Sequence, residues 1–198
     1  MPIPTDREIR ALHAELAPTR AAFDLVHTHC RIVCQIAERL VELGGLDVDL
    51  ELVRAGSLLH DIGVYRLMDA SGVLDGAHYV RHGVLGHEVL YARGFGEALC
   101  RFCSCHTGVG ITRADVRSQG LPIPEDDYTA GSTEEEVVMY ADKFHSKSSP
   151  PVFVSAASYA RRVRRFGTDK QARFEAMVAR YGKPDLEALS LSYGHALV

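Results

Sequence analysis

Long apolar runs are missing from this sequence. Its hydrophobic stretches are short and broken by charges, so no membrane span is legible. An export signal is missing too: Met1 to Arg10 carries two prolines and four charged residues and no apolar core region. The expected location is the cytoplasm. Surplus positive charge is also lacking. The formal net charge is −4, which argues against nucleic acid as a partner held by bulk electrostatics. No strand-like alternation, internal repeat or low-complexity tract appears, so neither a sheet nor a solenoid is expected. Cysteine is too sparse for a disulfide framework: there are five, an odd number, in a chain of 198 residues. Cys100, Cys103, Cys105 and His106 lie close together, but not at a standard zinc-finger spacing and with no second cysteine pair. They read as free thiols on apolar helix faces.

What is present suits one globular domain, or one with a C-terminal extension: 46% hydrophobic and 24% charged residues. The expected division is an N-terminal segment over 1–20, a main domain over 21–150 and a helical extension over 151–198 packed on it. The ten histidines are the unusual count. Helical periodicity runs through most of the chain. Val26, Cys30, Val33, Ile36, Ala37 and Leu40 form a stripe on a helix predicted over 24–43 and closed by Gly44-Gly45. His29 lies at the inward edge of that stripe, whereas His27 lies with Arg31 and Glu38 on its polar side. A second helix is predicted over 49–61, a loop over 63–77, a third helix over 79–93 and a fourth from Glu97 through His106. Residues 120–131 read as a loop. A Thr133/Glu136 capping box is expected to open a fifth helix, stopped by Pro150-Pro151. Two or three amphipathic helices follow, broken at Gly167 and at Gly182-Lys183-Pro184. The expected fold is all-α.

The second helix ends in Leu58-Leu59-His60-Asp61-Ile62-Gly63. A histidine and an aspartate among apolar neighbours are costly to bury unpaired, and a divalent ion would pair with both. Inward-facing residues of the same type recur: His29, His60-Asp61, His82, His106 and Asp142, carried by five helices. This ordered set resembles the HD-domain superfamily of metal-dependent phosphohydrolases. The local wording agrees with the HDIG form: Leu58 to Gly63, Tyr79 to Gly86 followed by Arg93-Gly94, Cys105 to Gly110, and Tyr140-Ala141-Asp142-Lys143. The resemblance covers about Val26 to His145.

By that resemblance, His29, His60, Asp61 and Asp142 would form a four-ligand metal site. His82 and His106 would add a second ion, with Asp61 as the bridging, catalytic carboxylate. The ions would be divalent transition metals, two per chain, drawn from Fe, Mn, Co, Zn or Ni. They would supply a metal-bound hydroxide for attack on a small phosphate ester or nucleotide. Arg81, His87, Lys143 and His145, close in sequence to those ligands, are the candidate substrate-binding residues. The basic face made by Arg161, Arg162, Arg164 and Arg165 reads as solvated or partner-facing rather than part of the site. The C-terminal helices leave room for a homodimer surface, though no heptad pattern requires one.

The sequence departs from the family patterns in several respects. Where HDIG hydrolases often carry a lysine straight after the glycine, this chain has Val64, followed by Tyr65. That departure favours a second reading, since mixed-valent diiron oxygenases of the superfamily, which cleave C–C or C–P bonds, share the same ligand set. A third reading, a non-catalytic regulatory module, is disfavoured because all six ligand positions are filled. No Gly-Tyr-Pro follows His82, as the cyclic-dinucleotide signature of the superfamily would require.

Overall fold

The computed structural model describes residues 3–198; Met1 and Pro2, the start of the expected N-terminal segment, lie outside them. That segment forms a packed helix, α1 (Asp6–Leu16), opened by a Thr5/Glu8 capping box and burying Ile9, Leu12 and His13. The long helix α2 (Arg20–Gly44) is the central strut. Its apolar stripe is continuous enough to serve two cores. Val26, Cys30 and Cys34 pack with Ala55, Leu59 and Ile62, while Ile32, Val33, Ile36 and Leu40 pack with Val137, Tyr140 and Phe144. Gly45, in the left-handed region at φ 56°, terminates α2.

Helix α3 (Leu50–Leu59) is capped by Asp49 and stops before the His60-Asp61 pair. Thus the pair occupies the junction between α3 and a 3₁₀ segment, Ile62–Leu67, instead of a final helical turn. The expected loop over 63–77 holds that segment, a Met68–Leu74 bridge and the start of a second 3₁₀ segment, Gly76–Arg81. Helix α4 consequently begins later than expected, at His82, and runs to Ala92. Helix α5 (Glu97–Ser104) ends two residues before His106, and α6 (Arg113–Gln119), which periodicity did not flag, follows.

Gly63 fixes how closely these pieces approach. A Cβ there would lie 2.1 Å from the His82 carbonyl oxygen and 2.3 Å from the Gly86 nitrogen. Only glycine fits between two backbones at that distance, and this contact brings the His60-Asp61 junction against the start of α4.

Helix α7 (Thr133–Asp142) is capped by Ser132, one residue before the expected Thr133. It ends at Asp142, well short of Pro150-Pro151. The chain then turns into a short strand, β1 (His145–Ser146), which pairs antiparallel with β2 (Val152–Phe153). A third strand, β3 (Ala196–Leu197), joins β2 in parallel. Among the described residues this small sheet and the Met68–Leu74 and Ile111–Tyr128 bridges interrupt an otherwise α-helical architecture. Between its strands run α8 (Ala156–Val163), α9 (Thr168–Tyr181) and α10 (Glu187–Tyr193). Phe174, Met177, Tyr181 and Leu189 of these helices share the core with Ile36 and Tyr140. Among the described residues no helix is long and apolar enough to cross a membrane.

Candidate metal centre

Six polar side chains meet inside the bundle: His29, His82 and Asp142 from α2, α4 and α7, His60 and Asp61 from the junction after α3, and His106 from the turn after α5. Their donor atoms form two groups: His29, His60, Asp61 and Asp142 in one, and Asp61, His82 and His106 in the other, each within 4.8 Å across. Asp61 belongs to both, one oxygen to each. Its Oδ2 lies 3.1 Å from His29 Nε2 and 3.4 Å from His60 Nε2, while its Oδ1 lies 3.4 Å from His82 Nε2 and 3.6 Å from His106 Nε2. Asp142 Oδ1 completes the first group, 3.0 Å from His29 Nε2 and 3.5 Å from His60 Nε2.

The hydrogen bonds behind the rings show what the site is built for. His60 Nδ1 donates to the Ser57 carbonyl at 2.7 Å, His82 Nδ1 to that of Tyr79 at 2.6 Å, and His106 Nδ1 to that of Phe102 at 2.9 Å. A neutral ring carrying its proton on Nδ1 presents a bare lone pair at Nε2. His82 and His106 therefore aim two lone pairs at each other across 3.0 Å, beside an Asp61 Oδ1 that is buried with no hydrogen-bond partner. Acceptors facing acceptors repel, and an unsatisfied buried carboxylate oxygen costs its full desolvation energy. A divalent cation removes both penalties. The imidazole and carboxylate donors suit a borderline transition metal, so the residues fit the ion.

The electrostatics follow from the same crowding. Burial opposes charge on His60, but the adjacent Asp61 carboxylate outweighs it and favours a cation, a proton or a metal ion, at its Nε2. Burial likewise opposes charge on Asp61, and Lys147 and His60 override it, keeping the carboxyl well below the usual range. Burial, helped by His106 and Lys147 and opposed by Asp61, pushes His82 down to about 3.

Of the four predicted substrate residues, two join the site and two do not. His145 stands behind His29: their Nδ1 atoms are 2.8 Å apart, and His145 Nε2 continues to His195 Nδ1 at 2.9 Å. It backs His29 and also lines the cleft beside the metal cluster. Lys143 is buried and donates to Asp142 Oδ2 at 2.6 Å and to the His106 carbonyl at 3.0 Å, clamping α7 to the end of α5. His87 is a correction. One turn of α4 rotates it away from His82, onto Ser104 at 3.1 Å and Glu97 at 3.3 Å. Arg81 is another: it is exposed, and it lines neither the metal cluster nor the cleft beside it.

Sequence reasoning missed Lys147. It follows β1 and its ammonium pairs with Asp61 Oδ2, reaching across to the residue at the heart of both groups. No periodicity marks it, because the helix expected to contain it has already ended. Tyr65 is also relocated: its hydroxyl bonds His13 Nδ1 at 2.9 Å in the apolar core. A cleft of ≈ 470 Å³ opens on Asp142, Lys143 and Lys147, with Val64 in its wall. Arg162 and Arg165 also line that cleft, which corrects the view of the basic face as remote from the site.

Comparisons with known proteins agree with this architecture. The family model for the HD domain matches residues 26–147. An uncharacterized protein of Methanocaldococcus jannaschii is 40% identical over 117 residues, 58% of this chain and 62% of the relative. A tRNA (cytidine(56)-2'-O)-methyltransferase of Picrophilus torridus is 32% identical over 63% of this chain and 33% of its own length. This chain thus spans less than two thirds of either relative. The HD domain of the phosphodiesterase PgpH from L. monocytogenes, solved with cyclic-di-AMP, superposes with a TM-score of 0.54 at 15% identity, covering 89% of each chain. Another structure of that domain gives 0.52 at 13% identity over 98% of this chain and 90% of that one. With the family model matching most of its length and the His/Asp cluster lying within the matched residues, this chain belongs to the HD-domain family.

Proposed function

We propose that the chain is a metal-dependent phosphohydrolase with a dinuclear centre. His29, His60, Asp61 and Asp142 would hold one ion and His82 and His106 the other, with Asp61 between them. The observation that carries this reading is the split of Asp61, one oxygen toward each histidine group and the second-group oxygen left without any other partner. Divalent ions at such a site lower the pKa of water toward neutrality and neutralise charge on a phosphoryl group. The chain's own residues do the rest. The Ser57, Tyr79 and Phe102 carbonyls hold three rings in the tautomer that leaves Nε2 free. Lys143 steadies Asp142, and His145 steadies His29. Lys147 stands at the cleft side of Asp61, where its ammonium can meet a phosphate oxygen.

The oxygenase reading loses one of the two features that favoured it, since Tyr65 is bonded to His13 and does not line the cleft, while Val64 stands in the cleft wall where a lysine is common. The relation to PgpH, a phosphodiesterase, leans the same way. The test is a panel of phosphate mono- and diesters offered to the chain loaded with Mn²⁺, Co²⁺, Zn²⁺ or Fe²⁺. Release of phosphate or alcohol that stops on chelation is expected. Iron-dependent oxygen consumption without ester hydrolysis would overturn the proposal.

A further inference from the structure

Of the four candidate ligand histidines, His29 is the one not backed by a main-chain carbonyl. The Nδ1 atoms of His60, His82 and His106 each donate to one. His29 Nδ1 instead meets another imidazole nitrogen, His145 Nδ1, at 2.8 Å. A carbonyl can only accept, so it fixes the tautomer of the ring in front of it. A neutral imidazole can donate or accept at a given nitrogen, so His145 fixes nothing until its own proton is placed. The atom in position to place it is His195 Nδ1, 2.9 Å from His145 Nε2.

For His29 Nε2 to offer a lone pair beside Asp61 and Asp142, its proton must sit on Nδ1 and be donated to His145 Nδ1. His145 then carries its proton on Nε2 and donates it to His195 Nδ1. His195 in turn carries its proton on Nε2, which has no protein partner among the described residues and is open to water on a half-buried ring. The opposite polarity ends with an N–H on His29 Nε2, aimed at the two carboxylates, and leaves no lone pair for an ion. Without an acceptor at position 195, the His145 Nε2–H would be enclosed and unpaired, and the ion-binding polarity would carry that cost.

His195 is held in place from several sides. It stacks on His145 with ring centroids 5.1 Å apart, and Ser190 Oγ donates to its carbonyl at 2.6 Å. The strand β3 begins at the next residue and is zipped to β2, with the Val198 N–H donating to the Phe153 carbonyl at 3.0 Å. Tyr193 ties the same stretch to α2, its hydroxyl donating to Gln35 Oε1 at 3.0 Å. All of α10 and β3 lies outside residues 26–147, the part matched by the family model.

Resting on the metal centre of the phosphohydrolase reading, we propose that His195 is a positioning residue for the first ion. Through His145 it sets the tautomer of His29, which makes the segment from α10 to β3 part of the metal site.

Two measurements test the assignment. In the Zn²⁺-loaded chain, long-range proton–nitrogen NMR of the imidazole rings should find His145 and His195 each carrying its proton on Nε2. A His145 that carries its proton on Nδ1 overturns the proposal. The second measurement is chelator competition for Zn²⁺ in the His106→Ala background, which isolates the first ion. There His195→Phe keeps a ring to stack on His145 but removes the acceptor, and it should weaken Zn²⁺ binding by about 10- to 100-fold. His195→Asn puts a carbonyl oxygen near the place of Nδ1 and should restore most of that affinity. The reverse order, with Phe tolerated and Asn weak, would mean that the ring only packs. That result, or equal affinity with His, Phe and Asn, overturns the proposal; if the Phe chain fails to fold, the wild-type tautomers decide. Ester hydrolysis by the chain with His106 intact is followed separately. The expected tautomers and affinity order without hydrolysis of any ester would sink the hydrolase reading and leave the role of His195 standing. Hydrolysis with Zn²⁺ affinity indifferent to position 195 would do the reverse.

Discussion

His13 and the His82–His106 pair are buried alike, yet their ring nitrogens are treated in opposite ways. His13 sits in the apolar core between α1 and α3, with Nδ1 2.9 Å from the Tyr65 hydroxyl and Nε2 2.8 Å from the Leu58 carbonyl. Both nitrogens are satisfied, one donating and one accepting, and the ring is complete without a ligand. His82 and His106 each have one nitrogen satisfied and turn the other toward a bare carboxylate oxygen. The difference teaches that burial does not mark a ligand histidine. An unmet lone pair does.

The comparison is broken most severely at Asp61, which has no counterpart near His13. Asp61→Ala should lose both ions, and ester hydrolysis should fall on the order of 10³-fold or more, as when a principal electrostatic stabiliser is removed. Elemental analysis and turnover on the same preparation check this.

His106→Ala should be milder, reducing two ions per chain to one and turnover by roughly 10²-fold, while His13→Gln should leave the metal content unchanged. Metal loss in His13→Gln would mean that the two histidine classes are not distinct.

The core histidine has its own signature in pH. Burial lowers His13 to about 4, against an ordinary value near 6.5. Between those values the unfolded chain binds a proton that the folded chain refuses, so stability is full above about pH 6.5 and falls as pH drops toward 4. A shift of this size corresponds to about 3 kcal/mol. Urea unfolding of the wild type and His13→Gln at pH 7 and pH 4.5 should show the wild type losing more on acidification. Equal losses would contradict the assignment of His13 as a ring buried neutral.

The smallest effects belong to Arg81→Ala and His87→Ala, which should alter turnover by less than about twofold, the scale of substitutions that touch no substrate. A large fall in substrate affinity for either would place it back in the site.

Much of the centre was legible because its chemistry is periodic. His29, His60, His82, His106 and Asp142 each fall on or just past a helix whose apolar stripe points inward, and the His60-Asp61 pair breaks an apolar run. The junctions were harder to read. His60-Asp61 lies after α3 and His106 after α5, and helix ends shift with capping contacts that stripes do not encode. Thr133/Glu136 resembled a cap, but Ser132 accepts from the Glu135 N–H, leaving the Glu135 carboxylate to bind Arg101. Lys147, Arg162 and Arg165 were invisible as site residues because tertiary packing alone brings β1 and α8 to the cleft. His27 shows the same limit. Its neighbours placed it on the polar side of α2, but its ring stacks on Phe23 at 4.8 Å and is buried.

The central claim is that two groups of donors share Asp61 because each holds an ion. Elemental analysis of the full chain, purified without added metal and without oxygen, tests it most directly. The account predicts close to two divalent transition ions per chain in the wild type and none in Asp61→Ala. A wild-type chain that stays metal-free when offered Mn²⁺, Fe²⁺ or Zn²⁺, or an Asp61→Ala chain that keeps its full complement, would contradict it.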